Sequence, residues 1–197
     1  MNGGEIAAAA ARLVVEEGME YGPAKRKAMR DLGRRSGRAA ELPSNEAVED
    51  EVRAFIAIFC ADTQPAELRA LRETALQWMR RLAEFRPHLA GAAWRGTATR
   101  LSAVHLELYC DDPKCAELAL VNAGVDYDVG QIERSGREPV QVLTVASPNA
   151  ALGESVTVHL AIHDLDDQRG ALKPDARGRS WRGDAAAVQR LLDEVPR

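Results

Sequence analysis

The spacing of apolar residues changes once along this chain, and the change falls at Pro87. Before it, Leu68, Leu71, Ala75, Trp78, Leu82 and Phe85 recur every three or four residues, as on one face of a helix. After it, Val104, Leu106 and Leu108 alternate with Ala103, His105, Glu107 and Tyr109, as in a half-buried strand. Proline cannot continue a helix, so Pro87 is a natural end to the first pattern. A chain that is helical on one side and mostly strand on the other belongs to the α+β class. The expected organisation is a helical region over 1–87 and a mixed α/β domain over 88–197.

The remaining elements follow from the same rules. Ile6, Ala10, Leu13 and Val14 share a helical face, and Gly18 ends it. Pro23 opens a second short helix, because proline is tolerated in a first turn. Ser44 is placed to cap a third, which carries Val48, Val52, Phe55, Ile56 and Phe59. Pro65 begins the fourth. The aromatics of its stripe are read as packing core, not as a ligand box. Beyond the first strand, Pro113 opens a helix that Gly124 closes. Strands are expected over 125–132, 140–145 and 156–162, and Asp184 is placed to cap a last helix with Val188, Leu191 and Leu192. The segments 36–44 and 134–139 read as linkers.

Composition narrows the class. A chain of 197 residues can bury a substantial core, and 46% hydrophobic with 28% charged residues is ordinary for a globular protein. No apolar run approaches the ~20 residues that span a bilayer. The first residues lack a basic segment followed by an apolar one, so no secretory signal is expected and the default location is cytoplasmic. Cys60, Cys110 and Cys115 form neither a disulfide framework nor a zinc-type pair. The net charge of −4 makes no general case for nucleic-acid binding.

The stretch 91–108 carries the chemistry. It contains Gly91-Ala92, Arg95-Gly96, Thr97-Ala98 and Ser102-Ala103-Val104-His105-Leu106 before Glu107. It reads as a strand end, a glycine-punctuated turn and a second strand. The frame resembles the signature of the nucleotidyltransferase superfamily, in its DNA polymerase β-like or minimal group: Gly-Ser, then Arg-Gly, then Ser-Asp-x-Asp-Leu. Gly91, Arg95-Gly96, Ala98 and Ser102 match it. Ala92 stands where the Ser is expected, and Ala103 and His105 stand where the two Asp residues are expected. In a later strand, Val158-His159-Leu160 falls where apolar-Asp-apolar is expected, so His159 takes the place of the third carboxylate.

In that family the glycine turn cradles a triphosphate, and the carboxylates hold two magnesium ions that clamp the attacking and leaving oxygens. The resemblance therefore implies the fold, while the substitutions remove the usual ligands. Imidazole is a poor replacement, because magnesium prefers oxygen donors. The expected function is a degenerate nucleotidyltransferase-like protein that binds a nucleotide, another phosphate ligand or a partner without transferring a nucleotide. Gly91, Arg95, Gly96, Thr97 and Arg100 would line or bracket the anion turn, with His105, Glu107 and His159 on the cleft face. No metal ligand set is assigned and no cofactor is identified. Two rivals stand beside this reading. One is an active enzyme whose carboxylates are rearranged onto Glu107, Asp111 or Asp112. The other is a structural or interaction protein whose cleft is vestigial. His105, Glu107 and His159 could also suit a softer divalent metal, or the histidines could be ordinary hydrogen-bonded strand residues.

Two basic segments remain. Lys25, Arg26, Lys27, Arg30, Arg34, Arg35 and Arg38 could follow a phosphate backbone, but no aromatic is interleaved for base stacking, and a solvated helix face is the alternative. The loop 169–184 is long, basic and glycine-rich. It could fold over the mouth of the Gly91 turn and offer Lys173 or Arg182 to an anion, or simply connect to the last helix. No P-loop, dinucleotide fingerprint or serine-hydrolase elbow is present.

Overall fold

The computed structural model describes residues 2–33, 42–174 and 178–194. Arg34, Arg35 and Arg38 of the basic run, most of the 36–44 linker and part of the 169–184 loop lie outside them. The chain divides into two compact units. One takes residues up to Ala66 together with Thr99–Ser102; the other takes Glu67–Ala98 and Ala103–Arg197.

The first unit is helical: α1 (Asn2–Glu17), α2 (Tyr21–Asp31) and α3 (Asn45–Phe59). Ile6, Ala10, Val15, Ala24, Ala28, Val48, Val52 and Ile56 form its core. Ser44 caps α3 by accepting from the Ala47 amide at 3.0 Å, as its position implies. Within the basic run, Lys25 donates to the Pro43 carbonyl at 3.0 Å and to Asn45 Oδ1 at 2.8 Å, and Lys27 pairs with Glu17 at 2.6 Å. These lysines are engaged inside their own unit.

The second unit is an α/β layer structure. The helix α4 (Gln64–Arg81) leads through a short turn into β1 (His88–Ala90), then α5 (Gly91–Arg95), β2 (Val104–Tyr109) and α6 (Pro113–Asn122). There follow β3 (Asp128–Ile132), β4 (Val140–Asn149), β5 (Glu154–His163), α7 (Asp167–Ala171), β6 (Arg182–Gly183) and α8 (Ala185–Asp193). The six strands form one mixed sheet in the order β3-β4-β5-β2-β1-β6. Only β2 and β5 run parallel; the other neighbours are antiparallel. The observed class is α+β.

The alternation read from β2 sorts the sheet into two faces. Val104, Leu106 and Leu108 lie in register with Val158, Leu160 and Ile162, and all six are buried. With Leu71, Met79, Leu89, Leu143 and Val188 they make the core of this unit. Trp78 and Phe85 join that core at 6% and 5% exposure, so the aromatics of the α4 stripe and the turn behind it are packing residues. Asp112 and Asp184 cap α6 and α8 by accepting from Lys114 and Ala187 amides at 2.9 and 2.8 Å.

Three local features differ from the sequence expectation. The glycine turn after β1 winds into the one-turn helix α5, bounded by Gly91 at φ +67° and Gly96 at φ +84°. The strand expected over 140–145 runs on to Asn149, because β4 and β5 form a long hairpin. The strand expected from Val125 begins only at Asp128.

Leu106 is fully buried on the central strand β2. Leu106→Ala is expected to cost about 2–5 kcal/mol in urea unfolding, whereas exposed Thr157→Ala on β5 stays within about 0.5 kcal/mol.

Candidate functional site

The opposite face of the sheet is polar, and register assembles it. Ala90 of β1 lies between His105 of β2 and Arg182 of β6, and His105 lies beside His159 of β5, which lies beside Thr144 of β4. One step along, His88 lies opposite Glu107; one step further, Tyr109 lies beside His163. All four histidines of the chain share this face.

His105 and His159 meet. Their ring centroids are 5.1 Å apart with the planes at 33°, and His159 Nδ1 lies 2.9 Å from Thr144 Oγ1. Gly91 adjoins them: a Cβ added there would come within 3.2 Å of His105 Cδ2, and its φ of +67° independently favours glycine. The frame around 91–105 thus closes on itself, with the imidazole of His105 packed against the turn.

Glu107 is committed elsewhere. Its Oε2 accepts from the Tyr109 hydroxyl at 2.7 Å and pairs with Arg182 Nη1, which also donates to the Tyr109 oxygen at 3.0 Å. The Glu107 and Arg182 side chains are only 18% and 19% exposed. The Tyr109 ring stacks on His163 at 5.4 Å and meets His88 edge-on at 5.6 Å. Burial, and then its bond to Glu107, pushes the Tyr109 phenol well above its ordinary range, so it stays a neutral donor. Burial likewise pushes the His163 imidazole down, against an opposing pull from Glu107. Among the described residues, no group of three His, Cys, Asp or Glu side chains is placed to hold a metal ion. The imagined set of His105, His159 and Glu107 is not assembled.

The segment after residue 177 folds over α5. Trp94 Nε1 donates to the Ser180 carbonyl at 2.9 Å, and the Trp94 ring lies where a Cβ on Gly183 would be. Arg95 stacks over Trp181 with its guanidinium 4.1 Å from the ring centre. Arg182, one of the two cations suggested for an anion, is instead held by Glu107, and its buried Nε makes no hydrogen bond among the described residues. Lys173 is exposed. Thr97 is buried with its hydroxyl unpartnered among those residues, and Gly96 closes α5 in a left-handed cap. Arg100 is exposed and lies in the Thr99–Ser102 segment that groups with the helical unit.

Beyond this cluster, at the C-terminal ends of β2 and β5, lies a cleft of about 470 Å³. Glu107, Tyr109, His163 and Arg182 form its floor side, and Arg134, Arg137, Asp166 and Asp167 contribute to its walls. Arg134 pairs with Asp167 at 3.2 Å. Sequence reasoning missed Tyr109, His88 and His163. Tyr109 continues the alternation from His105 and Glu107, and His163 lies two strand repeats beyond His159, so period-two spacing was the available signal.

Two outcomes follow. Because His163 is held neutral by burial, the unfolded chain binds more protons than the folded one below about pH 6.5. Stability is therefore present above that value and lost as pH falls through the lower folded value. The thermal midpoint of wild type should fall more steeply than that of His163→Phe between about pH 7 and about pH 5; parallel curves would refute the assignment. Gly183→Ala, which drives a methyl into Trp94, should cost about 1–3 kcal/mol in chemical unfolding.

No protein-family model matches the chain, and neither does any curated protein sequence. Among solved structures it is similar to the Cid1 poly(U) polymerase with MgGTP bound, at 13% identity and a TM-score of 0.37, covering 58% of this chain and 38% of that one. The same enzyme with the UTP analogue UMPNPP gives 13% identity and a TM-score of 0.36, with 58% and 36% covered. A cytoplasmic RNA terminal U-transferase gives 15% identity and a TM-score of 0.34, with the same coverages of 58% and 36%. The chain thus spans well under half the length of these proteins, and overlap at this level is silent on activity, substrate and metal use.

Proposed function

We propose that this chain is a nucleotidyltransferase-like protein that binds a nucleotide or another phosphate ligand without transferring a nucleotide. One observation carries the reading. At the positions where the resembling signature expects three carboxylates stand Ala103, His105 and His159, and the one carboxylate on the same strand face, Glu107, is bound to Arg182 and Tyr109. Two magnesium ions need several oxygen donors directed at one point, and this face offers imidazoles instead. A ligand role is supported by the cleft that the cluster lines, whose walls include exposed Arg137 and, paired with Asp167, Arg134. Guanidinium groups match phosphate oxygens bidentately.

A second reading has its own observation. Trp94 and Trp181 pack the 178–184 segment onto α5, which favours a vestigial turn and an interaction role. Titration of the purified protein with ATP, GTP, CTP and UTP, with and without Mg²⁺ or Mn²⁺, separates the two. Binding to the native state raises the thermal midpoint by mass action. A rise that does not require metal, without pyrophosphate release, is expected. No rise at millimolar nucleotide would favour the interaction protein. Metal-dependent pyrophosphate release would overturn both and return the rearranged enzyme that uses Glu107, Asp111 or Asp112.

A further inference from the structure

The strand β3 ends the sheet order, and no described strand pairs with its outer edge. All five of its residues are exposed, Val129 by 60% and Ile132 by 54%. An open edge presents unpaired backbone N–H and C=O groups to any strand that can reach it, and natural sheets commonly guard such edges with lysine, proline or a bulge. Asp128-Val129-Gly130-Gln131-Ile132 contains neither lysine nor proline, and its register with β4 runs without interruption. On α6, Leu118 and Val121 are exposed by 56% and 53%. Tyr127 donates to Glu117 of α6 at 2.9 Å and so ties that helix to the edge.

We propose that this edge pairs antiparallel with the same edge of a second copy of the chain, about a two-fold axis through Gly130. Such an interface is isologous, so the strand must complement itself. In the register that uses the whole strand, Gly130 faces Gly130, Val129 faces Gln131 and Asp128 faces Ile132. Continued outward, Tyr127 faces Glu133, and Asp126 of each copy faces Arg134 of the other. No like charges meet, and two opposite pairs flank the ladder. Centring on Asp128 would instead set two aspartates face to face. Arg134 now pairs with Asp167, at 31% and 33% side-chain exposure, and donates from Nε to the Glu138 carbonyl at 3.2 Å; both contacts are solvent-accessible, so an exchange of partners costs little. An axis normal to the sheet keeps both α6 helices on one face.

The test uses the full chain with exposed Cys115 changed to serine. A Cβ at Gly130 meets only the Val142 carbonyl oxygen at 4.0 Å, so Gly130→Cys fits the fold. Directly opposed residues bring their Cα atoms into the range a disulfide spans, so mild oxidation should link Gly130→Cys chains at least about tenfold faster than Val129→Cys chains, which face Gln131. In sedimentation equilibrium, Arg134→Asp should weaken dimerisation by about tenfold, and adding Asp126→Arg should restore it. The double exchange retains the same aspartate at 134, so restoration separates the interface from any local effect of losing the Asp167 pair. A chain that stays monomeric throughout the concentration series, equal cross-linking at the two sites, or no rescue by the double exchange would overturn the proposal.

Discussion

The polar face depends on one cross-sheet contact, the pairing of Glu107 on β2 with Arg182 on β6, reached over the intervening β1. The strand β6 has only two residues and two register partners, Leu89 and Ala90. A ladder that short contributes little by itself. The side chains secure it: Arg182 binds Glu107 and Tyr109, and Gly183 leaves room for Trp94. The same contact consumes the carboxylate that a rearranged metal site would need and neutralises one of the three arginines that line the cleft. Structure and chemistry therefore compete for one residue pair, and in this conformation structure holds both members.

The alternation of β2 and β5 has a second consequence. Since each strand sends apolar side chains to the core, every polar residue between them is gathered on the other side. Four imidazoles, a phenol, a carboxylate and a guanidinium consequently share one surface. Tyr109 and His163 stack there as neutral rings, shielded from solvent enough that burial shifts both away from charge. A face built this way can donate and accept hydrogen bonds; among the described residues no three His, Cys, Asp or Glu side chains converge on one point.

How much of this was legible depended on whether the signal was local. Helix and strand periods are local, so α4, β2 and β5 were readable, as were the caps Ser44 and Asp184; the Asp112 cap of α6 was not read. The apolar face of β2 followed directly from alternation. The glycine frame placed Gly91 near the start of β2, and its contact with His105 agrees with that placement. What was not legible is long-range or short-lived in sequence. Glu107 and Arg182 are 75 residues apart, and nothing in either neighbourhood marks the other. Three-residue β1 and two-residue β6 are too short to show a period. The relation of His88 and His163 to Tyr109 exists only once β1, β2 and β5 are laid side by side.

The most direct measurement is a double-mutant cycle on Glu107→Gln and Arg182→Gln, read by chemical unfolding. If the pair secures β6 and occupies the carboxylate, each single change leaves the partner's charge unpaired in a mostly buried place, and the coupling energy should be about 1–3 kcal/mol. Additive effects, with coupling near zero, would mean that Glu107 is not held by Arg182. The carboxylate would then be available to the cleft, and the account of a face closed by its own side chains would fail.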